Sequence, residues 1–212
     1  MSNEVTVQDQ PSEEKNVINY NPIFPTLTAV VNIDLPVEDM AKELWNLAGD
    51  TENCDGGYTT FMTRQGIDHI KGIDEAKQAI YGIACAFGRE QKFEVNYDKA
   101  AVNIWANVMR RGGTQAPMNH NNSYFAGVIN ISVADDDSPL LLSNPTYIYR
   151  GHEGFIRPED YGPFTAPSMS MKTKNNQLII WPSWLQYAVP KMKTSGPRVT
   201  LGFTVDFLPP GA

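Results

Sequence analysis

Two hydrophobic rhythms divide the chain. Within VEDMAKELWNLA, Met40, Leu44 and Leu47 recur at three- and four-residue spacing, which predicts an amphipathic helix over residues 37–48 that stops at Gly49. A second helix is predicted over residues 74–87, with Ala76, Ile80, Ile83, Ala84 and Phe87 on one face. Elsewhere the period shortens toward two. Residues 28–35 (TAVVNIDL) are rich in β-branched side chains and predict a strand closed by Pro36, and residues 57–63 (GYTTFMT) predict another. After residue 98 alternation dominates: residues 100–109, 124–133, 140–142, 177–181 and 199–207 all read as strands. Gly112-Gly113, Pro139, Pro145, Pro182 and Pro197 punctuate them. Helices first and strands afterward predict an α+β class, a β-sandwich or barrel with N-terminal helices packed on it. There is no internal repeat.

Two segments escape both rhythms. Residues 1–22 form a polar arm that cannot bury enough apolar surface to order itself, so residues 23–212 are expected to make the single folded domain. Residues 144–176 carry Pro158, Pro163 and Pro167 and show little periodicity. A loop that long is usually functional or touches a partner. It holds Tyr147, Tyr149, Phe155, Tyr161, Phe164, Met169 and Met171, which suit either an interface or a lid folded back on the domain.

Composition narrows the function. With 42% hydrophobic and 19% charged residues among 212, the chain can build one real core. The net charge of −7, from 24 acidic and 17 basic residues, argues against a sequence-independent grip on nucleic acid. Lys172, Lys174, Lys191 and Lys193 read as solvated loop. No apolar run approaches the roughly 18 residues of a membrane span, and the polar start lacks a secretory pattern, so a cytoplasmic location is expected. Cys54 and Cys85 are too few for a disulfide framework or a zinc site, and Cys85, within IYGIACAF, reads as a buried small hydrophobe. The glycosylation-like triplets at Asn121 and Asn130 are then chance matches.

Trp105-Ala106-Asn107, followed by NHNNSYFAGV over residues 119–128, QLIIWPSWL over residues 177–185 and Arg198-Val199-Thr200, together resemble a family of 2-oxoglutarate/Fe(II)-dependent oxygenases found in marine bacteria and cyanophages. Gly57-Tyr58-Thr59-Thr60-Phe61 resembles a segment of the phage-type members. The resemblance covers residues 55–208 and implies a double-stranded β-helix, a jelly-roll barrel, in agreement with the strand pattern.

The same resemblance implies three protein ligands on one face of a ferrous ion, for which imidazole and carboxylate are suited and thioether or phenol poor. Its first histidine position falls on Met118, its second on His120, and its distal histidine on Tyr187. His120 is then a metal ligand only in a rearranged site, completed by His152 and Glu153 or by Asp135, Asp136 or Asp137. Otherwise it is a half-buried histidine hydrogen-bonded to a neighbour. His69 reads as a surface residue. Arg198 and Thr200 match the pair that would hold the distal carboxylate of 2-oxoglutarate, a guanidinium fork with a hydroxyl two residues along the same strand face. The alternative is an arginine satisfying a buried wall against Asp206 or a backbone carbonyl. Trp181, Trp184 and Tyr187 read as core.

These residues favour a non-enzymatic jelly-roll protein on the oxygenase scaffold, with no catalytic residue and no cofactor. Its expected partners are other protein subunits, as in a phage virion, with no nucleic acid or membrane. The alternative is an active hydroxylase using Fe(II) and 2-oxoglutarate in a rearranged metal site.

Overall fold

The computed structural model describes residues 25–147, 161–162 and 165–210. The polar arm, together with His152, Glu153, Pro158 and Pro163, lies outside them.

Among the described residues, ten strands and three helices are formed. Helix α1 (Val37–Ala48) buries Met40, Leu44 and Ala48 and carries Glu38 and Asp39 in its first turn, where the positive end of the helix dipole favours them. It ends at Gly49, whose φ of 48° is open to a residue without Cβ. Helix α3 (Ile73–Glu90) buries Ile73, Ala76, Ile80, Ala84, Cys85 and Phe87. Cys85 is the small buried hydrophobe that the sequence indicates, and His69 is exposed.

The strands are β1 (Ala29–Asn32), β2 (Gly57–Thr59), β3 (Asn96–Met109), β4 (Gln115–Met118), β5 (Phe125–Ser132), β6 (Leu140–Ser143), β7 (Ser168–Met171), β8 (Gln177–Pro182), β9 (Tyr187–Val189) and β10 (Arg198–Leu208). They make a six-stranded sheet in the order β1-β8-β5-β10-β3-β2 and a four-stranded sheet in the order β4-β9-β6-β7, paired antiparallel throughout.

Alternation along β10 assigns the two faces of the large sheet. Val199, Leu201, Phe203, Val205 and Phe207 join the helices in one core. The intervening Arg198, Thr200, Gly202 and Thr204 turn to the opposite face. There Ala126, Val128, Ile179 and Trp181 pack against Leu140, Leu142 and Val189 of the small sheet in a second core. Gly202 is required on that face, because a Cβ would stand 2.5 Å from the Trp105 ring.

Three expectations are corrected. Residues 57–63 are not one strand: β2 stops at Thr59, and Thr60–Thr63 form the short helix α2. The Thr59 hydroxyl accepts from the Phe61 N–H, and the Thr60 hydroxyl accepts from the Ala106 N–H, so the side chains that suggested a strand instead cap a turn. The stretch 144–176 is not structureless, since β7 pairs with β6 within it. Trp184 is 48% exposed rather than core. It follows the Pro182-Ser183 turn, where strand alternation no longer directs it inward.

Candidate functional site

Strand β4 lies at the edge of the small sheet, and Pro117 falls in the register irregularity between its Gln115 and Met118 pairs, a place where a missing N–H is tolerated. Its last residue, Met118, is the Cα partner of Tyr187 on β9. His120 follows two residues later, held by its N–H donating to the Ser183 carbonyl (2.9 Å) and its carbonyl accepting from the Ser123 N–H (3.0 Å). Two turns are thereby locked together, and the Ser183 hydroxyl adds a bond to the Ser123 carbonyl. The result brings the three positions singled out in the sequence side by side.

The His120 and Tyr187 side chains make a defined cluster with their aromatic neighbours. His120 Nε2 lies 3.1 Å from the Tyr187 hydroxyl, with the rings 5.8 Å apart and 28° from parallel. Trp105 approaches His120 at 5.2 Å, Phe61 packs on Trp105 at 5.0 Å, and Trp181 lies 5.1 Å from Tyr187. The Met118 sulfur accepts a bond from Gln115 Nε2 at 3.0 Å. Desolvation moves both titratable groups toward neutrality. It lowers the His120 pKa below 6.5 and raises that of Tyr187 well above 10.0. A neutral phenol and a neutral imidazole therefore share this hydrogen bond, with the imidazole tautomer setting which one donates. His120 is the half-buried, hydrogen-bonded histidine that one reading of the sequence describes.

Phe61, Trp105 and His120 also line a cleft of about 690 Å³ shared with Arg64, Gln65, Asn103 and Asn119. Sequence reasoning missed the contribution of α2. The signal that could have found it is Thr59-Thr60, two hydroxyl residues at the point where the strand pattern fails.

Arg198 begins β10 and is 3% exposed. Its Nη1 donates to the Ser138 carbonyl at 2.6 Å and lies 3.5 Å from Asp137 Oδ2. The acidic partner is therefore Asp137, not Asp206, which accepts from the Ser123 hydroxyl. Asp135 and Asp136 are exposed. Asp137 reaches Arg198 because its N–H donates to the Ala134 carbonyl, folding the β5–β6 turn inward. Burial lowers the Arg198 pKa, and the Asp137 charge opposes that shift. Thr200 is buried on the same strand face, in register with Asn130 of β5, which is itself in register with Gln177 of β8. Asn130 Oδ1, Gln177 Oε1 and Trp181 Nε1 are buried without a hydrogen-bond partner.

Residues 103–204 match the family model described as "Putative 2OG-Fe(II) oxygenase". No curated protein matches the sequence. Among solved structures the chain is similar to a Pseudomonas putida prolyl-4-hydroxylase, at 10% identity over 88% of this chain and 94% of that one, with a TM-score of 0.56. It is also similar to the α-ketoglutarate dependent epimerase SnoN from nogalamycin biosynthesis, at 9% identity over 88% and 82% of the two chains, with a TM-score of 0.55. HygX from Streptomyces hygroscopicus, with nickel and 2-oxoglutarate bound, aligns at 10% identity over 88% and 84%, with a TM-score of 0.51. At such identities the likeness is one of fold.

Proposed function

We propose that this chain, whose residues 103–204 match the 2OG-Fe(II) oxygenase family model, keeps the jelly-roll scaffold of that family without the iron chemistry and acts as a non-enzymatic binding or assembly subunit. The donor set at Met118, His120 and Tyr187 carries the reading. A ferrous ion asks for hard or borderline donors that are free and aimed at one point. Here one donor is a thioether. A second is a phenol whose pKa burial raises, so its proton is held rather than lost to a metal. The third is an imidazole whose Nε2 already faces that phenol. Among the described residues, no three His, Cys, Asp or Glu side chains converge as a metal site would need. In this reading His120 serves as a packing and hydrogen-bonding residue.

The test is an anaerobic Fe(II) titration of the purified chain followed by metal analysis. Substoichiometric iron is expected. Close to one equivalent held with micromolar affinity would restore the alternative, an active hydroxylase with a rearranged site.

The occupation proposed for such a subunit is contact with other protein chains, as in a phage particle, through residues 1–22 and the 144–176 stretch. The polar arm and the aromatic and methionine side chains of that stretch support this reading. Deleting residues 2–20 is expected to leave the melting temperature almost unchanged and to weaken co-purification with partner chains. A truncated chain that assembles like the full one would refute the arm's role.

A further inference from the structure

We propose that Asp137 is a built-in occupant of the anion-binding end of the sheet sandwich, so that the wild-type chain refuses the small dicarboxylate that Arg198 and Thr200 would otherwise hold. The Asp137 side chain is 1% exposed and that of Arg198 is 3% exposed. Their charges compensate each other inside the protein, and no external anion is needed to neutralise the guanidinium.

Asp137 is held in place from several sides. Its Oδ1 accepts from the Ser138 N–H at 2.7 Å and from the Thr194 hydroxyl at 3.4 Å, while Oδ2 faces Arg198 Nη1. The Ser138 hydroxyl donates to the Lys191 carbonyl at 2.9 Å, which ties the same turn to the strand-free stretch before β10. Arg198 Nη1 also serves the Ser138 carbonyl. A carboxylate entering beside this pair would place a second negative charge close to the first in a desolvated setting.

The part of that face next to Thr200 adds unpaired acceptors. Asn130, in register with Thr200, and Gln177, in register with Asn130, each leave a buried side-chain oxygen without a donor. An incoming carboxylate brings more acceptors beside those two oxygens, while the one unpaired donor among these three buried groups, Trp181 Nε1, sits four residues along β8 from Gln177. 2-Oxoglutarate therefore does not fit the residues present, although the arginine and threonine of its expected pair are both in place.

Removing the internal charge should create the anion site. Asp137→Ala and the near-isosteric Asp137→Asn would be compared with wild type by thermal melting in 2-oxoglutarate, glutarate and the uncharged glutaramide, without metal. At ~10-fold excess over the dissociation constant, either dicarboxylate should raise the melting temperature of a variant by about 4 °C. Glutaramide should shift none of the three proteins, and wild type should respond to no probe. A variant that is unfolded alone should refold when either dicarboxylate is present at tens of millimolar. Wild type stabilised by 2-oxoglutarate as strongly as the variants would overturn the inference. So would variants that neither shift nor refold with dicarboxylate. The inference deepens the proposed loss of iron chemistry, yet its readout is metal-free. Iron binding by the wild-type chain would overturn the first reading and leave this one standing.

Discussion

The Tyr187 hydroxyl lies 3.1 Å from His120 Nε2, joining two residues 67 positions apart in sequence. Both groups are neutral in this environment, and the pair makes stability depend on pH at each end of the scale. His120 has a lowered pKa in the folded state, so the unfolded chain binds the proton more readily. Its contribution is intact above the ordinary value of 6.5 and is lost progressively as pH falls below it. Tyr187 has a raised pKa, so its contribution is intact below 10.0 and is lost as pH rises past that value. Urea midpoints measured from pH 5 to 11 should fall at both ends, and His120→Gln should flatten the acid side. Tyr187→Phe should flatten the alkaline side and cost about 1 kcal/mol at neutral pH, the net worth of one hydrogen bond.

Met118 and Tyr187 are cross-strand partners, so histidines at both positions would stand beside His120. Met118→His with Tyr187→His should gain stoichiometric Co(II) binding, read from its visible absorption, while wild type stays colourless. A double variant that folds but binds no cobalt would show that the three side chains do not converge on one metal.

Arg198→Leu should destabilise the fold by about 3–5 kcal/mol, because Asp137 is then left buried and uncompensated. Adding Asp137→Leu should recover much of the loss, since an apolar pair of similar volume leaves no orphaned charge. Chemical denaturation of the two single variants and the double variant closes the cycle. Simple additivity would mean that the 3.5 Å contact couples nothing.

Gly202→Ala should destabilise by about 1–3 kcal/mol, the usual cost of overpacking. The added methyl meets the indole of Trp105, a ring that packs on both Phe61 and His120. Its effect should also appear as a change in tryptophan fluorescence, whereas Gly82→Ala, whose Cβ meets open space within helix α3, should leave fluorescence unchanged and stabilise by about 0.5–1 kcal/mol.

Local pattern was enough to determine the elements whose stability is local. Helix α1 is legible because Met40 and Leu44 fall on one face within a single segment, and α3 because Ala76, Ile80 and Ala84 do the same. The long strand β10 is legible because its alternate residues Val199, Leu201, Phe203, Val205 and Phe207 are all apolar, most of them β-branched or aromatic, and face the helices. Met118, His120 and Tyr187 could be singled out because short motifs carry them. By contrast, β7 reads SMSM and contains no strong strand former, so only its pairing with β6 makes it a strand. Helix α2 exists because the Thr60 hydroxyl finds the Ala106 N–H, 46 residues away. The same kind of distance separates Asp137 from Arg198, which lie 61 residues apart. Every acidic residue in the chain was a formal candidate for that partner. Burial selected among them, because a guanidinium removed from water is stable only beside the one carboxylate that the folded turn carries in with it.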